Sequence, residues 1–143
     1  MTQISAVRRI QFCAGHRVHN HESKCANWHG HNYVAFFHAR VNELDSIGRV
    51  IDFSSLKEKI GGWVDKNWDH GFLYFIHDKV SSNVFSNELN SMKKFECLFN
   101  PTAENMADHL LNIVCPKVLE GTNVQIFKVV LWETENCFVE AKL

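Results

Sequence analysis

The stretch Cys25-Ala26-Asn27-Trp28-His29-Gly30-His31 brings together residue types that do chemistry at a spacing that suits it. In an extended strand side chains alternate faces, so His29 and His31 project from one face and can chelate a single metal ion. Gly30 adds no bulk between them, as glycines do where another group approaches closely. His16, at the end of Phe12-Cys13-Ala14-Gly15-His16-Arg17, offers a third imidazole. Three imidazoles suit zinc, and three protein ligands leave its fourth position open, as in catalytic sites. Cys25, four residues before His29, has two roles open to it: fourth ligand or reacting group. Its neighbour Lys24 favours the thiolate in either role.

Nine histidines make chance pairs common, so a His-x-His pair alone is weak. His19 and His21 form a second such pair, but a loop rich in Asn, Glu, Ser and Lys positions them poorly, and they are expected to be solvated. Asp69-His70 sets a carboxylate beside an imidazole and can orient a nucleophile or base elsewhere; His77-Asp78 shows how cheap that dipeptide is. Glu133 ends the apolar run Val129-Val130-Leu131-Trp132. A carboxylate buried there needs a partner, and two parallel N–H donors on a guanidine-like edge would supply one. Thr102 and Glu104 follow Pro101 and by default cap and charge a helix start.

The elements that position these groups follow from periodicity. Ile4 to Phe12 and His29 to Asn42 are expected strands, the second with Tyr33, Ala35, Phe37, Ala39 and Val41 on the face of His29 and His31. A helix is expected over about Ser55 to Asn67, capped by Asp52, Ser54 or Ser55, with Leu56, Ile60, Trp63 and Val64 inward and a weak middle at Gly61-Gly62. A second starts at Asn100-Pro101-Thr102 and is bent or ended by Pro116. Residues 72–99 show an apolar run and one further candidate strand, Phe95 to Phe99. Val124 to Trp132 and Cys137 to Ala141 form a hairpin. The pattern is α+β, an antiparallel sheet with helices on one face and free edges open to other subunits.

The length of 143 residues suits one domain over 1–143. Hydrophobic content of 45% and charged content of 22% are ordinary for a globular chain. Fifteen basic against sixteen acidic residues give a net charge of -1, without the basic field that nucleic acid selects. The first residues hold no apolar signal core and no window spans a membrane. Five cysteines without Cys-x-x-Cys then point to a reducing, cytoplasmic setting. Cys13, Cys97, Cys115 and Cys137 sit among apolar neighbours and read as small buried hydrophobes.

Phe12-x-x-x-His16, Cys25-x-x-x-His29-Gly30-His31-Asn32-Tyr33, Ile51-Asp52-Phe53, Asp69-His70, Asn100-Pro101-Thr102-x-Glu104-Asn105 and Trp132-Glu133-Thr134 occur in this order. As a set spanning nearly the whole chain, they resemble the 6-pyruvoyltetrahydropterin synthase and 6-carboxytetrahydropterin synthase family. The resemblance implies a tunnelling fold (T-fold): a four-stranded antiparallel sheet with two helices, assembled through sheet edges into trimers and a hexamer. It implies Zn2+ on His16, His29 and His31, and a pterin triphosphate, 7,8-dihydroneopterin triphosphate, as substrate. It assigns Cys25 as acid/base group linked to Asp69 and His70, which in such enzymes can come from a neighbouring chain. It makes Glu133 the anchor of the pterin ring, with Thr102 and Glu104 in the substrate-binding set. The three-residue gap between Cys25 and His29 resembles the carboxy branch of the queuosine pathway, which forms 6-carboxy-5,6,7,8-tetrahydropterin and releases acetaldehyde and triphosphate. The length of residues 71–99 points instead to the pyruvoyl branch, which eliminates triphosphate only. A reading from another class is a non-catalytic, zinc-stabilised binding module.

Overall fold

In the computed structural model, the described backbone covers residues 1–88 and 91–143, and side chains are described for all of these except 87 and 88. Strands β1 (Ala6–His16) and β2 (His29–Arg40) pair antiparallel without a break, from Ala6 opposite Ala39 to His16 opposite His29. Alternation fixes the register. Ile10, Phe12, Ala14 and His16 on β1 and Tyr33, Ala35, Phe37 and Ala39 on β2 are all buried on one face. Strand β1 thus runs four residues beyond its expected end at Phe12 and carries His16 into the sheet.

Strands β5 (Gln125–Thr134) and β6 (Cys137–Lys142) form the expected hairpin, and β5 pairs antiparallel with β2. This gives the four-stranded antiparallel unit β1-β2-β5-β6. The whole sheet is larger. Among the described residues it has six strands in the order β4-β3-β1-β2-β5-β6, with β3 (Gly71–Phe75) parallel to β1 and β4 (Lys94–Cys97) parallel to β3. The sheet is therefore mixed, which corrects the four-stranded antiparallel expectation. Parallel neighbours need a crossover connection, and the segment between β3 and β4 supplies one.

Helix α1 (53–67) starts at Asp52, whose carboxylate accepts the Ser54 N–H at 2.8 Å. Its residues Leu56, Ile60 and Val64 are fully buried at a spacing of four, and the helix runs through Gly61-Gly62. Helix α3 (103–118) starts at Thr102, whose hydroxyl accepts the Asn105 N–H at 3.2 Å. It continues past Pro116, which sits at the start of its last segment. Both helices cover the core face of the sheet. A third helix, α2 (79–88), lies on the other side. On β3, Leu73 points into the core while Phe72 and Tyr74 turn away and stack on Phe85 at 4.9 and 5.4 Å. The expectation of two helices on one face is thus met by α1 and α3 and extended by α2. Among the described residues, no helix is long and apolar enough to cross a membrane.

Candidate metal centre and active site

His16 and His29 are partners on the last rung of the β1–β2 ladder, with His31 one strand-step back opposite Ala14. The three rings converge, with centroids 4.6, 4.9 and 5.1 Å apart, and their ligand nitrogens lie within 4.8 Å of one another. Hydrogen bonds fix two of the tautomers. The Nδ1–H of His16 donates to the Pro101 carbonyl at 2.7 Å, and the Nδ1–H of His29 donates to the Asn27 carbonyl at 2.7 Å. Each Nε2 is then left with a lone pair, and the two face each other at 3.0 Å. Such an approach is repulsive without a cation. Two nitrogens bonded to tetrahedral zinc at about 2.0–2.1 Å stand about 3.3 Å apart, so the spacing fits that ion. The Nε2 of His31 is buried and has no hydrogen-bond partner; Glu133 Oε1 lies 3.7 Å away.

Burial depresses the basicity of His16, with help from charge on His29 and His31 and against the Pro101 bond, to a pKa of about 4. His31 is lowered as well, again chiefly by burial. Both are held in the neutral form that binds metal. Behind this rung, Gly15 pairs with Gly30. A Cβ on Gly30 would stand 3.1 Å from the Ala14 carbonyl oxygen, and one on Gly15 would stand 2.8 Å from the Phe72 ring. The close approach expected at Gly30 is real.

Cys25 sits in a one-turn helix, Lys24–Ala26, within the loop joining β1 to β2. Its carbonyl accepts the Val18 N–H at 2.9 Å. Arg17 donates to the Ala26 carbonyl at 2.6 Å and to the fully buried Asp78 carboxylate at 2.5 Å. Asp78 also accepts from the Ser81 hydroxyl, which in turn accepts from the Trp28 indole N–H. The loop is pinned to the start of α2 at both sides of Cys25. Arg17 is thus no free surface charge. His19 is not simply solvated either: its Nδ1 is buried 3.9 Å from Asp78, and Asn100 clamps its backbone N–H and carbonyl at 2.9 and 2.8 Å. The Cys25 sulfur lies outside the cluster formed by the three imidazoles.

Asp69 and His70 form the expected pair, with the His70 Nδ1–H donating to Asp69 Oδ2 at 2.8 Å. Within the chain this pair closes on Cys13. The other carboxylate oxygen accepts the Cys13 N–H at 3.0 Å, and the Cys13 sulfur lies 3.6 Å from both His70 ring nitrogens. Among the described residues no hydrogen bond joins the Cys25 thiol to either. Burial opposes ionisation of Asp69, but the Cys13 N–H, His70 and Lys93 together hold its carboxyl below the usual range. Cys13 is therefore not the small buried hydrophobe expected from its neighbours; it is half-buried on the outer face of β1, while Cys137 is exposed. Cys97 and Cys115 do fit that reading, with burial pushing both thiols up to about 12.

Glu133 follows the inward face of β5 and reaches the rim, where it lines a cleft of about 680 Å³ with His31, Phe36 and Trp132. Burial keeps the neighbouring Tyr33 phenol protonated, and negative charge on Glu133 and Cys25 works the same way. Thr102 caps α3 and Glu104 lies exposed in its first turn; neither lines that cleft. Sequence reasoning missed the Pro101 carbonyl behind His16, Asp78 behind the Cys25 loop, and Cys13. Only Cys13 carried a signal, its odd position on a strand whose even positions face the core.

A sequence-family model described as 6-pyruvoyl tetrahydropterin synthase matches residues 5–142. A Rickettsia felis protein named 6-carboxy-5,6,7,8-tetrahydropterin synthase is 41% identical over 137 residues, 96% of this chain and 99% of that protein. A crystal structure of an uncharacterized Wolinella succinogenes protein superposes with a TM-score of 0.85 at 22% identity, covering 99% of each chain. The Caenorhabditis elegans 6-pyruvoyl tetrahydropterin synthase superposes with a TM-score of 0.69 at 24% identity, over 100% of this chain and 99% of that one. These two structures bear on the fold.

Proposed function

The chain belongs to the 6-pyruvoyl tetrahydropterin synthase family, and from that premise we propose a zinc-dependent lyase that converts 7,8-dihydroneopterin triphosphate to 6-carboxy-5,6,7,8-tetrahydropterin. One water is consumed, acetaldehyde and triphosphate leave, and the product feeds queuosine synthesis in the cytoplasm. The observation that carries the reading is the pair of His16 and His29 lone pairs facing each other at 3.0 Å beside His31 and the Glu133 cleft. The full-length identity to a protein named for this product supports the branch, as does the short gap between Cys25 and His29.

His16, His29 and His31 hold the metal; zinc, when bound there, supplies Lewis acidity to the hydroxyls of the substrate side chain. Glu133 accepts the two parallel N–H groups of the pterin edge and fixes the ring, so that the reacting carbons stay within reach of the thiol. Cys25 as thiolate takes and returns protons on the side chain. Asp69 and His70 of a neighbouring subunit poise that thiol, in a homohexamer built through sheet edges. Thr102 and Glu104 complete the substrate-binding set from the start of α3.

Product analysis with purified, zinc-loaded protein tests the reading. One acetaldehyde for each triphosphate is expected; triphosphate without acetaldehyde would move the chain to the pyruvoyl-forming reaction. Cys25→Ala should lose turnover by about a hundredfold or more with zinc still bound. A variant with unchanged properties would leave only a zinc-stabilised binding module.

A further inference from the structure

Cys13, Asp69 and His70 make a second cluster of metal-ligating side chains, on the other side of β1 from the three imidazoles. Strand alternation separates the two: Phe12, Ala14 and His16 are buried in the core, and Cys13 points the opposite way. The ligand atoms of the cluster lie within 4.8 Å of one another. The Cys13 sulfur is 3.8 Å from Asp69 Oδ1 and 3.6 Å from His70 Nδ1. On tetrahedral zinc, with a sulfur at about 2.3 Å and an oxygen or nitrogen at about 2.0–2.1 Å, the matching edges are about 3.5 Å. The sulfur is equally far from both His70 nitrogens and so stands off both in-plane lone pairs; the exposed ring turns for a nitrogen to share an ion with it.

The surroundings prepare these groups as ligands. His70 Nδ1 stands 2.8 Å from Asp69 Oδ2, where an ion shared by the two would take the place of the proton between them. His70 has a φ of 59°, a left-handed conformation that costs a side chain with a Cβ about 1–2 kcal/mol. The backbone enforces it: the His70 N–H donates to the Cys13 carbonyl at 2.7 Å and the Gly71 N–H to the Trp68 carbonyl at 2.9 Å. Lys93 does not neutralise the carboxylate by direct contact, because its ammonium donates to the Asp65 and Asp69 carbonyls at 2.6 and 2.5 Å. His70 is 77% exposed and, with Cys13, Phe72 and Lys93, lines an open cleft of about 500 Å³.

We propose that Cys13, Asp69 and His70 form a second divalent-metal site, with one thiolate, one carboxylate and one imidazole ligand and an open position. That donor set suits zinc and cobalt over magnesium or calcium. Metal there withdraws Asp69 and His70 from proton handling, so zinc beyond the first equivalent slows turnover; this consequence alone rests on the function proposed above.

The test is a titration of metal-free, full-length protein with Co2+, followed by metal analysis of the Zn2+ form. Two equivalents per chain are expected, the second bringing a thiolate-to-cobalt charge-transfer band that an all-imidazole site cannot give. Cys13→Ser and His70→Ala should each keep the first equivalent, which also reports an intact fold, and weaken the second by more than about tenfold. Cys13→Ser should also abolish the band, and Cys25→Ser should keep both equivalents and the band. A single equivalent in the wild-type protein, a band that survives Cys13→Ser, or a band that vanishes with Cys25→Ser overturns the proposal. Failure to release acetaldehyde or triphosphate would sink the lyase reading and leave this metal count untouched.

Discussion

Asp78 has no exposed surface, and the sequence offers it only as half of a commonplace His-Asp dipeptide, yet its carboxylate holds the Cys25 loop in place. Burial raises its pKa, but the Arg17 guanidinium and the Ser81 hydroxyl and N–H outweigh that and hold it below the usual range. Removing one partner of a buried pair leaves the other charge stranded, so Asp78→Asn should cost about 3–5 kcal/mol at pH 7, read by urea denaturation. The pH dependence has a definite sign. A carboxyl depressed in the folded state contributes fully above its unfolded value of 3.8 and loses that contribution as pH falls through the lower folded value. The gap between wild type and variant should therefore hold steady from pH 7 to 5 and close only below about 3.8. A gap that changes already between pH 7 and 5 would show that a group other than the Arg17–Asp78 pair sets it.

At the scale of elements, the glycine rung beside the imidazoles decides how tightly β1, β2 and β3 close. A methyl at Gly15 would meet the Phe72 ring at 2.8 Å, and Phe72 is itself stacked on Phe85 from α2. Gly15→Ala should cost about 1–3 kcal/mol, and Phe72→Leu should recover part of it. A double-mutant cycle by chemical denaturation should give a coupling of at least about 0.5 kcal/mol; additive effects would show that the ring moves aside freely. The same elements mark how far the sequence could be read. Tyr33 to Ala39 alternate cleanly, so β2, its inward face and the His29–His31 pair were legible. His16 was legible as a donor, but its support, the Pro101 carbonyl, comes from 85 residues away and leaves no local trace. In β3, apolar Phe72, Leu73 and Tyr74 serve two different faces, which erases alternation and hides a parallel pairing. Helix α2 shows as a buried face, among its described side chains, only Ser81 and Phe85, too little for a helical period.

The whole molecule poses the question of where a complete site can form. In one chain the three imidazoles and Glu133 converge, whereas Cys25 is pinned to α2 and Asp69–His70 turn to Cys13 on the outer face of β1. Within one chain the Asp69–His70 pair thus meets the Cys13 thiol. Among the described residues β4 and β6 are the edge strands of the sheet, and sheet edges can pair with other copies of a chain. If Cys25 of one subunit works with Asp69 and His70 of the next, two inactive variants should repair each other. Cys25→Ala and His70→Ala, each inactive alone, are co-expressed and purified as mixed oligomers. With random mixing, one site in four draws both intact groups, so about a quarter of wild-type turnover should return. A site built within one chain predicts none, because every chain in the mixture carries one of the two lesions. Recovery would also fix the geometry of assembly, since only an arrangement that brings the outer face of β1 in one subunit to the Cys25 loop of another can produce it.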